Sequence, residues 1–510
     1  MTLTLADLLS GTGAPVVRLS PDGEVQEGTL AAADLQQEVT DVVIDSRLVG
    51  SRSVFVALPG QHVDGHDFVP ASLRAGALAA VLSRMPEPRI LAPAVTTDQR
   101  FRYARYLLVV DDPLVALQRL ASYWRGRHSA TVVGVTGSVG KTTAKEILAS
   151  VLGTRWPVLR SQANLNTEIG LPLTLTQLES RHRAAILEMG LHEAGDIALL
   201  SDIARPDIGA VVNVAPVHLE RMKTVEAIAR EKSRLIAALP PSGLAVLNGD
   251  DAWTKAIACA SGVAPVILVG LSADCDFRAE DVVSHGLNGI SFTIRAEGQR
   301  YAVHTRVPGR HTLIAFLATA AIARRIGMSW TELQEAMAAV QLDLRQRIIR
   351  PADGLIIIDD SYNASPLSMQ AALDMLQTSS GGKIAVLGDM LELGSLEESA
   401  HRELGEQASS VVDWLILRGR CSAMVADAAE RRGLSRRRIV RVGSNFDAVQ
   451  AVKTILFGTP VAVGSAHTMQ RPSKDQSGEN RVTWTVLIKG SRGMGMEEVV
   501  QGLRGDTCQY

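Results

Sequence analysis

Short apolar runs recur along the chain, at 131–135, 185–187, 208–214, 355–358 and 383–387. Each is rich in β-branched residues, and stretches with helical spacing follow. Strands of this kind alternating with helices predict an α/β protein with largely parallel sheets, because strands covered on both faces read as continuous apolar runs. Two punctuation points divide the pattern. The DDPL at 111–114 opens a helical stretch that runs to Arg127, and a polar region occupies 342–350. Domains are therefore expected over 1–107, 108–340 and 341–510.

Length agrees with that division, since 510 residues exceed what one core usually serves and correspond to about three domains. The polar segment 464–481 lies between two apolar runs and reads as a surface loop. No internal repeat or heptad run is present.

Composition narrows the partners. Charged residues make up 21% of the chain and the formal net charge is -2. No global field draws it to nucleic acid or to an anionic membrane, so any anion site must be local. The opening MTLTLADLLS lacks a basic region ahead of a long apolar stretch, and no segment approaches about 18 uninterrupted apolar residues. A cytoplasmic protein is expected. Cys259, Cys275, Cys421 and Cys508 lie far apart without metal or redox spacing, as reduced thiols would.

The most specific chemistry lies in TVVGVTGSVGKTTAKEILASVL. An apolar strand leads into Gly137, Ser138, Val139, Gly140, Lys141, Thr142 and Thr143, and a helix follows with apolar Ile147, Leu148 and Val151. Glycines let backbone N–H groups turn toward phosphate oxygens, the helix start adds partial positive charge, and Lys141 adds a formal one. Thr142 is the natural Mg2+ ligand. The spacing departs from the common GxxxxGK[ST] pattern, because Val135 stands at the first glycine position and Gly134 lies one residue earlier. Nucleotide binding is expected, although a phosphate loop alone fits a ligase, a kinase, a motor or a switch.

Other candidates sit where ligands of open α/β sheets gather, at the carboxyl ends of strands. Glu188 ends the run AAILE and suits a metal ion opposite the phosphates, or else a nearby Lys or Arg. His218 follows IGAVVNV and suits a metal or phosphate role, or a structural one. Lys232 lies on a helical stretch and reads by itself as a solvated lysine. Asp359, Asp360, Ser361, Tyr362, Asn363 and Ser365 follow the run at 355–358, where they suit ribose or triphosphate contacts or simply build a turn.

Taken together, these segments resemble the Mur ligases over essentially the whole chain. The resemblance rests on TGSVGKTTAKE, SQANLNTEIGLPLTL, AILEMGLHEAGDI, VAPVHLERMKTVEAIAREKSRL, VLNGDD, VPGRHT, IIDDSYNASPLSM, AVLGDMLELG and IKGSRGMGME, in matching order and spacing. DSYNASPLSM and GDMLELG are similar to the branch that adds a dipeptide, and the DNPR signature of the diaminopimelate-adding branch is absent. IDSRLVGSRSVFVALPGQHVDGHDF resembles the domain that holds the uridine diphosphate end of the substrate.

The resemblance implies three domains: an N-terminal nucleotide-sugar-binding α/β domain, a central P-loop NTPase-like parallel sheet, and a C-terminal Rossmann-like domain that binds the incoming dipeptide. It also implies a monomeric, ATP-dependent and ADP-forming ligase of cell-wall biogenesis. That enzyme joins UDP-N-acetylmuramoyl-tripeptide to D-alanyl-D-alanine through an acyl-phosphate. Lys141 and Thr142 would serve ATP and Mg2+, with Glu188 and His218 on the metals and Lys232 at the position that members carry as an N-carbamoylated lysine. Ser46, Arg47 and the Asp64-Gly65-His66 turn would meet the uridine diphosphate. Asn164, Asn166 and Thr167 would line the nucleotide-sugar peptide. Arg347 and Asp360 would meet the nucleotide, with Tyr362, Asn363 and Ser365 close by, and Lys489, Ser491 and Arg492 would lie near the dipeptide.

The chain departs from the family at Thr312 and Ala315, where asparagines thought to touch adenine are usual, and at Arg234, where an acid is common. Two rival readings follow from the same residues. One is a related amide ligase of folylpolyglutamate or cyanophycin type; the other is a P-loop regulator that binds nucleotide without ligation.

Overall fold

The computed structural model describes residues 2–19, 25–26, 30–60, 62–87, 105–260, 265–341, 346–351, 354–458 and 483–505. The stretch 464–481 and Cys508 lie outside them, as do residues 342–345 of the polar junction at 342–350.

Three sheets organise the chain. The first holds β1 (Val16–Leu19), β2 (Val25–Gln26), β3 (Val42–Val43), β4 (Val54–Val56), β5 (Ala79–Leu82) and β6 (Arg105–Val109), in the order β2-β1-β6-β5-β4-β3. The strands β3 to β6 run parallel, whereas β1 pairs antiparallel with β2 and β6.

The second sheet has nine strands. They are β7 (Thr131–Thr136), β8 (Val158–Arg160), β9 (Ala184–Glu188), β10 (Ile208–Val211), β11 (Leu244–Asn248), β12 (Val266–Gly270), β13 (Phe277–Ser284), β14 (Ile290–Ala296) and β15 (Gln299–Thr305). Their order is β15-β14-β13-β12-β11-β10-β7-β9-β8. Pairing is parallel from β8 through to β13 and antiparallel from β13 to β15. The expected parallel sheet thus carries an antiparallel meander. In β13 to β15 buried and exposed residues largely alternate, as in a sheet with one wet face, and the wholly buried β9, β10 and β11 do not alternate. Strand β10 stops at Val211, three residues short of the apolar run that announces it.

The third sheet holds β16 (Arg347–Ile349), β17 (Leu355–Asp360), β18 (Gly382–Gly388), β19 (Trp414–Arg418), β20 (Ile439–Val442) and β21 (Trp484–Lys489), ordered β16-β17-β21-β18-β19-β20. All pairings but the β16 edge are parallel. The last strand, β21, inserts between β17 and β18. That insertion brings the loops after all three together at one end of the sheet.

Helix Pro113–Gly126 joins the first two sheets. It starts where the DDPL pattern places it: Asp112 Oδ1 accepts the N–H of Leu114 at 2.7 Å and of Val115 at 3.3 Å, and Pro113 occupies the first turn, where no N–H is required. Its inward face buries Leu117, Leu120 and Trp124 in a core shared with Leu5, Leu8, Val54 and Leu187, so the helix ties the first sheet to the second. Among the described residues, no helix is long and apolar enough to cross a membrane.

Candidate active site

Strand β7 ends at Thr136 and helix Lys141–Gly153 begins five residues later, with Gly140 in the left-handed region at φ 83°. Gly137 has a different constraint: a Cβ there would meet Val212 Cγ2 at 2.3 Å, so the loop passes too close to the end of β10 for any side chain. No side chain caps the helix, which leaves its first N–H groups and positive dipole end for an anion. Lys141 Nζ donates to Gly137 O at 2.8 Å and Ser138 O at 3.3 Å, folded over the loop it would cross to reach a phosphate. Thr143 is half-buried on the first turn.

Asn213, which the sequence reading passed over, braces this loop. Its Oδ1 accepts the N–H of Ser138 at 3.0 Å and of Val139 at 2.9 Å, and its Nδ2 donates to Val139 O at 2.7 Å. Ser138 Oγ donates to Ala215 O at 2.9 Å. The signal in sequence was an amide two residues past the end of β10, the strand beside β7.

Glu188 is the last residue of β9 and only 1% exposed. Thr142 Oγ1 donates to its Oε2 at 2.9 Å, and Asn166 Nδ2 donates to its Oε1 at 2.9 Å. The wholly buried Lys145 lies 3.8 Å from the same Oε2 and also meets Glu146 at 2.9 Å and Ser161 O at 2.6 Å. Glu188 thus has the lysine neighbour of the structural reading and also lies against Thr142 of the phosphate loop. Asn166, expected at the peptide substrate, here directs its amide to Glu188. Asn164 is exposed, and Thr167 Oγ1 accepts the N–H groups of Ile169 and Gly170 at 3.4 and 3.3 Å.

Lys232 corrects the solvated reading. It is 1% exposed on helix Val225–Ala237, and none of its described contacts is a hydrogen bond. Burial, reinforced by the positive charge of Lys141, drives its pKa well below the usual lysine range despite Glu231. The oxygens of Thr142 and Glu188 suit a hard divalent cation, and Lys232 feels the charge of Lys141 on the same loop.

His218 stands in the left-handed region at φ 54° and its Nδ1 lies 2.6 Å from Glu392 Oε2 in the third domain. Burial lowers its pKa, opposed by Glu392, and the charge of Lys141 contributes to the lowering. The His192 ring is 5.7 Å away.

The third sheet gathers the remaining candidates at the ends of β17, β21 and β18. Lys489 Nζ meets Asp360 Oδ2 at 2.7 Å and Asn363 O at 2.9 Å. Burial pushes the Asp360 carboxyl up against the opposing pull of Lys489. The sequence reading kept these two apart, one for nucleotide and one for dipeptide, and the structure pairs them. Arg492 lies over the Tyr362 ring at 5.3 Å, its N–H donates to Asn363 Oδ1 at 3.4 Å, and Leu391 N–H donates to Ser491 Oγ at 2.8 Å. Ser365 caps helix Pro366–Gln377. Arg347 is exposed on β16 opposite Asp359, next to the Asp360 pairing.

In the first domain, half-buried Ser46 and exposed Arg47 form a turn, with Arg47 Nη2 2.6 Å from Asp45. His66 is held by its own fold: Nδ1 donates to Asp64 Oδ1 at 2.7 Å and Nε2 accepts the N–H of Ser83 at 3.0 Å. A third grouping, Asp389, His401 and Cys421, is equally self-contained. His401 Nε2 accepts Met390 N–H at 3.0 Å, Nδ1 donates to Glu397 O at 2.7 Å, and Asp389 accepts Arg420 N–H at 2.8 Å. It braces a turn.

A glycine loop and uncapped helix start faced by a strand-end glutamate, on the second of three α/β sheets, define a protein of P-loop type. Profiles of the Mur ligase family, catalytic domain, match residues 38–125, of the Mur ligase middle domain residues 135–323, and of the Mur ligase, glutamate ligase domain residues 344–463. The chain belongs to the Mur ligase family. It is 32% identical over 487 residues to the UDP-N-acetylmuramoyl-tripeptide--D-alanyl-D-alanine ligase of Bacillus subtilis, covering 94% of this chain and 96% of that one. A crystal structure of MurF from Acinetobacter baumannii shares the fold with a TM-score of 0.81 over 99% of both chains, at 24% identity. MurF of Thermotoga maritima, solved in complex with ADP, matches with a TM-score of 0.73 at 26% identity, over 91% of this chain and 97% of that one.

Proposed function

We infer that this chain is an ATP-dependent, ADP-forming ligase that joins UDP-N-acetylmuramoyl-tripeptide to D-alanyl-D-alanine through an acyl-phosphate, in peptidoglycan precursor synthesis. The observation that carries this reading is the uncapped helix start at Lys141, with Thr142 hydrogen-bonded to Glu188 and Lys232 buried nearby. A peptide carboxylate resists amines because its leaving group is poor, and phosphorylation supplies a better one.

In this reading Lys141 leaves the loop carbonyls and places its charge where it builds up on the transferring oxygens. Asn213 takes up the N–H groups of Ser138 and Val139 and so fixes the loop, leaving the uncapped N–H groups of the helix start to meet the phosphates. Thr142, Glu188, His218 and Lys232 would hold Mg2+, which neutralises phosphoryl charge. Asn166 keeps Glu188 in position. A neutral Lys232 amine attacks carbon dioxide, loses its proton and becomes a carbamate anion; a charged one cannot. Ser46 and Arg47 would meet the uridine diphosphate, and Arg347 the nucleotide, with Tyr362 close by. Lys489, held by Asp360, would join Ser491 and Arg492 at the incoming dipeptide. The divisions 1–107, 108–340 and 341–510 then each bring one reactant, in a monomer of the cytoplasm.

The test is ADP release with UDP-N-acetylmuramoyl-tripeptide and ATP, comparing D-alanyl-D-alanine with glutamate as acceptor. Release that depends on the dipeptide is expected; release that follows glutamate, or needs no acceptor, overturns the reading.

A further inference from the structure

The balanced charge of the whole chain conceals one strongly basic end. Residues 431–441 read RRGLSRRRIVR, with six arginines and no acid in eleven positions. Helix Ser422–Arg431 ends here, the turn Arg436–Arg438 follows with none of its residues buried, and β20 begins at Ile439 as the edge of the third sheet. Arg432 is paired with Glu406 at 2.6 Å, Arg438 lies 3.9 Å from Asp413, and Arg441 donates to Ser422 Oγ at 3.1 Å. Arg431, Arg436 and Arg437 are exposed, and no described hydrogen bond or ion pair involves them.

Topology fixes which way this cluster faces. Strand β20 is parallel to β19, so its start, with Arg436–Arg438 before it, marks the amino-terminal end of the sheet. Helix Asn445–Phe457 returns from the far end of β20 and finishes at that same end, where Phe457 is 69% exposed. Asp360, Lys489 and Ser491 lie at the opposite, carboxyl-terminal ends of β17 and β21. The basic end therefore presents guanidiniums and a phenyl ring away from the candidate active site.

We propose that the amino-terminal end of the third sheet, marked by Arg431, Arg436, Arg437 and Phe457, docks the protein on an anionic phospholipid surface. Unpaired guanidiniums on an outward-facing sheet end suit lipid phosphates, to which each basic residue adds attraction that falls off within a Debye length. An exposed phenyl at the same end suits the headgroup boundary, where an apolar ring adds to the electrostatic attraction. A single-stranded nucleic acid would call for several rings on which bases stack, and among Arg431, Arg436, Arg437 and Phe457 only Phe457 carries one. Docking in this orientation leaves the carboxyl-terminal loops open to soluble reactants.

The experiment is flotation of the full chain with vesicles of phosphatidylcholine alone or mixed with phosphatidylglycerol at low salt. Binding is expected only with phosphatidylglycerol and is lost at high salt. Combining Arg431→Gln, Arg436→Gln and Arg437→Gln should weaken it on the order of a hundredfold, at roughly fivefold per charge, with ADP release in solution unchanged. Phe457→Ser should weaken it severalfold. Absence of phosphatidylglycerol-dependent flotation, or full binding by the triple variant, overturns the proposal. So does tighter capture by double-stranded DNA than by vesicles.

Discussion

His218 Nδ1 lies 2.6 Å from Glu392 Oε2, and the two residues belong to the second and third domains. Both backbones are left-handed, at φ 54° and 64°, a conformation that costs non-glycine residues energy and persists only where surroundings hold it. Beside them, Gly394 packs against Leu219 and Glu220. This contact ties the turn after β10 to the turn after β18. Replacing Glu392 with Ala should increase the radius of gyration of the ligand-free protein in X-ray scattering. It should also lower kcat about tenfold, as loss of one charged hydrogen bond would. Unchanged scattering and unchanged kcat together would contradict the role.

Asn166 reaches Glu188 from the segment after β8, and in the proposed Mg2+ site it would orient that carboxylate, a role that typically matters about 10- to 100-fold in affinity or activity, with about 30-fold expected here. Asn166→Ala should raise the Mg2+ concentration needed for half-maximal ADP release by about that factor. An unchanged Mg2+ requirement with a raised KM for the nucleotide-sugar would instead return Asn166 to the substrate.

Lys232 makes a prediction about pH. Folding removes its ammonium from water and lowers its pKa, so the native state binds fewer protons there than the unfolded chain. The resulting cost to stability is full below the folded-state pKa, shrinks as pH rises above it and vanishes past the ordinary lysine value, about 10.4. In buffer free of carbon dioxide, Lys232→Met should melt about 2–4 °C higher than the parent at pH 7, and the gap should close toward pH 10. The same variant should lose ligation. A lower melting temperature at pH 7 would show that the lysine is well paired.

Asp112→Ala removes the cap of the helix between the first two sheets and should cost about 1 kcal/mol, read as a drop in melting temperature with kcat unchanged.

Local features of the site were legible because their chemistry is local. The phosphate loop, the strand-end Glu188 and the Asp112 cap each need only neighbours within a few residues, and spacing records such neighbours. Contacts set by sheet order were not. Glu392 lies 174 residues from His218, and nothing near either residue announces the other. Lys489 meets Asp360 only because β21 inserts beside β17, pairing Asp360 with Lys489 in register. The burial of Lys232 likewise depends on what packs over its helix, and helical period alone leaves a lysine looking solvated. Asn213 was missed because an amide after a strand is common, and its importance comes from β10 lying next to β7.

The central claim is that Lys141 stabilises phosphoryl transfer to a carboxylate at this loop, and the most direct measurement is dipeptide-dependent ADP release by Lys141→Ala. Nucleotide-sugar binding should be followed by calorimetry in parallel. A fall in kcat of about 100- to 1000-fold, or roughly 3–4 kcal/mol, with nucleotide-sugar affinity retained is the expected result. Full turnover by the variant, or loss of nucleotide-sugar binding alone, would contradict it.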